Sequence, residues 1–283
     1  MAVRLTTLAE NSVSLGMAGV LAEHGLSILV EAHGRRLLLD TGQTTTALHN
    51  ARGLGLDLGG LDAIVLSHGH HDHTGGLKDI LREVAMRGRE VPVFAHPSLF
   101  VARYTVRAGE RPRYTGIPHR QEEMEALGAR FDFSTEPREV FPGLWLTGEV
   151  PRRSTYERLD ANLKVQGPDG WQQDEVADDQ ALVVKTARGL VVVLGCAHSG
   201  IVNTLAHIQR FTGDVRFCAV VGGTHLGLGA KEQLEPSLRA LKGFAIQRLG
   251  VSHCTGLEAA TRLAQDFGQA FFFNNAGSVV ELD

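Results

Sequence analysis

The 283-residue chain has no long apolar run near either end; residues 1–20 interleave Arg4, Glu10 and Asn11 with their apolar neighbours. Neither a secretory leader nor a membrane span is legible. The expectation is a soluble cytoplasmic protein with no membrane partner. Cysteine is scarce, with only Cys196, Cys218 and Cys254. Three thiols do not make a disulfide framework, and an odd count fits a reducing compartment. A strong charge of either sign is also missing. The formal net charge of -4 argues against a general affinity for nucleic acid, and none is expected as a partner. No internal repeat or low-complexity tract interrupts the chain. Three tyrosines stand against thirteen histidines, a balance compatible with metal binding.

Hydrophobic residues make up 43% of the chain, enough for a large core. Short apolar runs bounded by Gly, Pro, Asp or Asn read as buried strands at 27–31, 36–40, 63–67, 91–95, 144–147, 181–186, 190–195, 215–221 and 270–273. Ala187-Arg188-Gly189 reads as a hairpin connection. Helical stripes run through 77–87, 201–211 and 258–267. Early strands pair closely and later ones alternate with helices, so the expected architecture is α/β with a mixed sheet. The segment at about 97–138 carries Arg103, Arg107, Arg111, Arg113, Arg120 and Arg130. It reads as a helical cap inserted over one edge of the core. Its arginines form a solvated face, or one or two of them reach an anionic substrate.

Residues 67–77 read Ser-His-Gly-His-His-Asp-His-Thr-Gly-Gly-Leu. His68, His70, Asp72 and His73 crowd four ligand-type side chains into six positions after an apolar run. Imidazole nitrogen and carboxylate oxygen both suit a borderline divalent ion. His68 and His70 share a face of extended backbone. Gly69 leaves room for their approach, and Gly75-Gly76 frees the backbone before the next helix. An empty polar loop here would be costly to desolvate.

This run resembles the His-x-His-x-Asp-His motif of the metallo-β-lactamase superfamily. Asp40-Thr41-Gly42 is similar to the family's early Asp-x-Gly signal, and Val251-Ser252-His253 to the late strand carrying its last histidine. The resemblance covers nearly the whole chain. It implies one domain over 1–283, an α/β four-layer αβ/βα sandwich with one or two metals at a sheet edge. The middle departs from the commonest pattern. Thr147-Gly148-Glu149-Val150-Pro151-Arg152 stands where the family often has Gly-His-Thr-x-Gly, and Leu194-Gly195-Cys196-Ala197-His198 where it has a bridging aspartate. Cys196 is then a thiolate ligand or an inert buried cysteine, and His198 a candidate third histidine. Glu149 is a ligand, a substrate-side group or a surface carboxylate, and Arg152 a candidate substrate anchor. Glu23-His24-Gly25-Leu26-Ser27, Gly222-Gly223-Thr224-His225-Leu226 and His253-Cys254-Thr255-Gly256 add a likeness to the superfamily branch that includes the archaeal dihydropterin ribofuranosylaminobenzene-phosphate synthase. His225 follows a strand end opened by glycines and either lines the site or is structural. His24 is expected to make structural hydrogen bonds.

The resemblance implies one or two Zn2+ ions, with Mn2+ or Fe2+ as alternatives. His68, His70 and His198 would form the first site and Asp72, His73 and His253 the second, with Cys196 in or near the bridge. A divalent ion lowers the pKa of bound water to about 7. Asp72 would also handle a proton, and His225 would stabilise charge developing on the substrate. The leading expectation is a hydrolase of a small ester, lactone or phosphoester, with an anionic substrate as one option. The closest rival is a transferase joining a dihydropterin-methyl group to an aromatic amine ribose phosphate with loss of pyrophosphate. A non-catalytic metal-holding module would show a closed coordination shell. An iron redox role is disfavoured because His70 stands where di-iron members usually carry glutamate.

Overall fold

Leu37 and Leu39 in the strand Arg35–Leu39 point one way and Leu38 the other, yet all three are fully buried. A strand with two apolar faces belongs inside a stack of layers. The computed structural model, which describes residues 2–227 and 231–282, shows that stack. One mixed sheet orders seven strands as Val279–Leu282, Val3–Ala9, Ser27–Ala32, Arg35–Leu39, Ala63–Val65, Val91–Ala95 and Ala129–Phe133. A second runs Phe271–Phe273, Leu249–Ser252, Arg216–Gly223, Gly189–Leu194, Ala181–Thr186, Leu144–Leu146 and Arg138–Phe141, with Ala245–Ile246 beside Arg216–Gly223.

Three apolar layers hold the sheets and helices together. Between the sheets, Ile28, Val30, Leu37, Leu39 and Val65 meet Leu182, Val184, Val191, Val193 and Val221. On the outer face of the first sheet, Leu38, Ile64 and Val93 pack against Ala47, Ala51, Leu77, Ile80 and Val84 of the helices Thr46–Gly53 and Leu77–Ala85. On the outer face of the second, Val183, Val192 and Val220 meet Ile201, Leu205, Leu238 and Leu263 of Ile201–Thr212, Lys231–Leu241 and Gly256–Phe267. The layer order is helix, sheet, sheet, helix: a four-layer αβ/βα sandwich. Each fully buried Leu, Ile or Val contributes roughly 1.5–3 kcal/mol of transfer free energy. The expected hairpin is present, with Thr186 paired to Gly189 and φ of 129° at that glycine. Among the described residues no helix is long and apolar enough to cross a membrane.

The segment at about 97–138 is not the helical cap expected. Its one α-helix is Gln121–Ala126, and Ala129–Phe133 is the edge strand of the first sheet. Arg103–Thr105 and Arg113–Tyr114 join Leu163–Gly167 and Gly170–Gln173 in a separate four-stranded sheet. Strands of two or three residues are too short to leave a readable period, and the pairing of Arg103–Thr105 with Leu163–Gly167 is distant in sequence.

Candidate metal centre

The strand Ala63–Val65 delivers the histidine loop to the edge of the sandwich. His68 and His70 are buried and meet edge to face, ring centroids 4.6 Å apart. The chain then turns into the short helix His71–Thr74, which carries Asp72 and His73. Close approach explains the glycines. A Cβ on Gly69 would lie 2.2 Å from the Leu99 carbonyl oxygen. Gly75 has helical dihedrals, φ −65° and ψ −34°, so conformational freedom is not its purpose. A Cβ there would lie 2.0 Å from the Gln43 carbonyl oxygen.

Distant segments complete two donor clusters. In the first, ligand atoms of His68, His70 and His198 lie within 4.8 Å of one another, and the Nε2 atoms of His68 and His198 face each other at 3.2 Å. Burial and the neighbouring imidazoles hold His68 and His198 well below the ordinary histidine range. Burial likewise drives His70 down to about 3. All three are therefore neutral, with lone pairs available for a cation, and His70 Nε2 is buried with no hydrogen-bond partner among the described residues. In the second, Asp72 Oδ2 lies 3.2 Å from His253 Nε2, 3.2 Å from His24 Nε2 and 4.0 Å from His73 Nε2. Cys196 sits between the clusters, its Sγ 3.1 Å from His73 Nε2. Converging imidazole nitrogens, a carboxylate and a sulfur fit a borderline divalent ion.

Asp40 orients both clusters from behind. It is fully buried. Its Oδ1 accepts the Ser67 N–H at 2.7 Å, and its Oδ2 faces the Ser67 hydroxyl and His73 Nδ1, each at 2.7 Å. Ser67 Oγ in turn lies 2.9 Å from His68 Nδ1. A proton on each Nδ1 leaves each Nε2 free toward the metal side. Without an ion, burial alone would lower His73, but the Asp40 and Asp72 carboxylates outweigh it and raise the ring to about 9; a cation bound at Nε2 would displace that nitrogen's proton. Asp179 supports the His198 loop by accepting the Ser199 N–H at 2.8 Å. Asp40, Ala197, His225 and His253 all have φ between 53° and 57°. Such backbone costs on the order of 1–3 kcal/mol per residue and gathers at functional sites.

The clusters open into a cleft of about 200 Å3. His225 lines it, buried, its ring centroid 4.2 Å from that of His198 and both ring nitrogens without a partner among the described residues other than the Cys254 sulfur. Thr105, Arg107, Arg113 and Thr115 of the small-sheet region also line it. Arg103 does not reach the cleft as a substrate group. It is buried, bonded to Asp178 at 2.6 Å and paired with Asp174 at 3.2 Å. Asp178 also accepts the Gly69 N–H at 2.7 Å, so this ion pair anchors the histidine loop.

The structure brings His68, His70, Asp72, His73, Cys196, His198, His225 and His253 together, but not Glu149 or Arg152. Glu149 is half exposed and pairs with His96 at 2.9 Å. Arg152 donates to the Glu175 carbonyl at 2.5 Å, and both residues line a separate depression. Gly148, at φ 59°, turns this segment away from the metals. His24 is the residue sequence reasoning underrated, since it joins Asp72. Asp40 as the shared orienter and Cys254 as a cleft residue were also missed, although each stood inside a quoted motif.

Comparison with known proteins gives three findings. The metallo-beta-lactamase superfamily profile matches residues 21–156. The 7,8-dihydropterin-6-methyl-4-(beta-D-ribofuranosyl)-aminobenzene-5'-phosphate synthase of Methanocaldococcus jannaschii is 30% identical over 287 residues, covering 99% of this chain and 96% of that protein. The crystal structure of Tm1679, a metal-dependent hydrolase of the beta-lactamase superfamily, superposes with a TM-score of 0.83 at 29% identity over 99% of both chains.

Proposed function

The chain belongs to the metallo-β-lactamase superfamily, and on that premise we propose that it is a metal-dependent hydrolase of a small anionic ester, with phosphoesters best suited to its cleft. The observation that carries this reading is the placement of two arginines, Arg107 and Arg113, in the same cleft as the His68–His70–His198 and Asp72–His73–His253 donor clusters. His68, His70 and His198 would hold one ion; Asp72, His73 and His253 would hold a second, with His24 against Asp72. When bound, such an ion polarises a phosphoryl or carbonyl oxygen and lowers the pKa of water to about 7.

The chain's own groups supply the rest. Asp72 keeps Oδ1 clear of the two histidines on its Oδ2, with His71 Nδ1 3.6 Å away; that oxygen is the proton acceptor beside the metals. His225 lines the cleft where charge would develop on the substrate. Arg107 and Arg113 offer guanidinium forks to an anionic group. The cleft is smaller than the ~300–1,000 Å3 of drug-sized sites. It accepts a head group and leaves the remainder of the substrate at the rim.

A second reading, a transferase with a pyrophosphate leaving group, is favoured by the likeness to the archaeal synthase along 99% of the chain. Here Arg107 and Arg113 would take the pyrophosphate. Metal analysis and turnover distinguish the readings. The hydrolase reading expects one or two ions per chain and chelator-reversible cleavage of a generic phosphodiester. Turnover of a pterin pyrophosphate only in the presence of an arylamine would replace it with the transferase reading. Metal-replete protein inert toward phosphodiesters, lactones, thioesters and that pair would sink both and leave a metal-holding module.

A further inference from the structure

Cys254 is used by neither reading, yet it lines the cleft. Its Sγ, the Sγ of Cys196 and a ring nitrogen of His225 all lie within 4.8 Å of one another, and all three residues are buried. We propose that Cys196, Cys254 and His225 form a further metal position, a two-thiolate, one-imidazole site for a thiophilic divalent ion such as zinc, with its fourth position open to the cleft. This inference does not depend on the hydrolase reading.

Four observations carry it. Among the described residues neither nitrogen of the buried His225 ring has a hydrogen-bond partner other than the Cys254 sulfur, and a buried imidazole left so bare is costly unless something binds it. The backbone N–H of His225 donates to Cys254 Sγ, 3.3 Å away, while the thiol itself faces the Cys196 carbonyl oxygen at 3.4 Å, so the sulfur is held in place between the two loops. Gly223 leaves the sulfur its space, since a Cβ there would lie 2.7 Å from Cys254 Sγ and 2.5 Å from the Gly195 carbonyl oxygen. His225 also occupies the left-handed region at φ 53°, a strain the fold maintains where it aims this ring. Cys218 is the internal contrast. It is buried in the apolar layer between the sheets and belongs to none of the donor groups found among the described residues.

The donor set decides the kind of ion. Thiolates select zinc or cobalt over magnesium, calcium or manganese. Three protein ligands with one open position is the arrangement of catalytic rather than structural zinc. Binding releases the two thiol protons to solvent and involves no redox step. Cys196, already 3.1 Å from His73 Nε2, would be the sulfur shared with the histidine-rich centre.

Cobalt(II) is the probe. Chelator-stripped, reduced protein is loaded with cobalt, and the near-ultraviolet thiolate-to-cobalt absorption is recorded with the ion count. The wild type should show this band. Cys254→Ser should reduce it to roughly half, since one of two thiolates remains, and should lose one ion per chain. His68→Ala should lose a histidine-held ion and keep the full band, which separates this site from the centre proposed above. An undiminished band and ion count in Cys254→Ser would overturn the proposal. Zinc X-ray absorption on the unmodified protein checks it without any variant. A shell of two sulfurs on one zinc at about 2.3 Å supports the site, and a shell with one sulfur or none refutes it.

Discussion

Replacing Asp40 with asparagine should weaken both histidine clusters without touching a ligand. The carboxylate is fully buried and serves three donors at 2.7 Å. Asparagine keeps one acceptor oxygen. If that oxygen stays on the Ser67 N–H, the new amide group faces His73 Nδ1 and the Ser67 hydroxyl. His73 must then offer a lone pair at Nδ1 and carry its proton on Nε2, the atom beside Cys196. The Ser67 hydroxyl reverses too and pushes the His68 proton toward Nε2, because Ser67 Oγ also bonds His68 Nδ1. Restoring the metal-competent tautomers costs about one hydrogen bond to a charged group per ring, 1.5–3 kcal/mol. That agrees with the ~10–100-fold losses typical when a ligand's outer partner is removed. Asp40 lies at φ 57°, a conformation asparagine tolerates well, so backbone strain does not confuse the result. Competition with a chromophoric chelator reads the affinity of each ion. Affinities within about threefold of the wild type would refute the tautomer argument.

Other consequences are testable. Arg103→Met breaks a buried ion pair and should cost about 3–5 kcal/mol in urea denaturation; a loss under about 1 kcal/mol would show that the pair does not anchor the loop. Alanine at both Arg107 and Arg113 should raise KM for an anionic ester about tenfold with little change in kcat. An equal effect on a neutral ester would remove them as anion contacts. Glu149→Gln should leave metal content unchanged, and loss of an ion would return it to the centre. Burial pushes Asp179 up from its ordinary 3.8 to about 6. In metal-stripped protein the folded state therefore binds the extra proton between those values. This group's contribution is most favourable below pH 4 and falls by up to about 3 kcal/mol as pH rises to 6. The stability of Asp179→Asn relative to the wild type should climb across that window, and a flat difference would refute the assignment.

The sandwich was legible where burial is two-sided. Runs such as Ala181–Val184 and Leu190–Leu194 are apolar throughout, and the structure places the strands Ala181–Thr186 and Gly189–Leu194 there. The histidine loop was legible because its donors are contiguous. What escaped depends on contacts between distant positions. Nothing near Asp40 announces that it bonds His73, and nothing near His24 announces Asp72. The strand Val3–Ala9 is hard to read because exposed Arg4 and polar Thr6 and Thr7 interrupt its apolar pattern, although Leu5–Ala9 is buried. Glu149 and Arg152 were misplaced because a family slot is a position in sequence, while the turn at Gly148 decides direction.

The small four-stranded sheet has one further consequence. Thr115 accepts the His71 N–H at 3.0 Å, and Arg103 reaches Gly69 through Asp178. The rim of the cleft is thereby laced to its floor. Swinging these strands aside would strip hydrogen bonds from the loop that presents His70 and Asp72, so the rim is a fixed wall and not a lid. Substrates must then be discriminated by exchangeable side chains on that wall, such as Arg107 and Arg113. A lineage could change what enters the cleft by altering those positions alone, leaving the donors beneath them undisturbed.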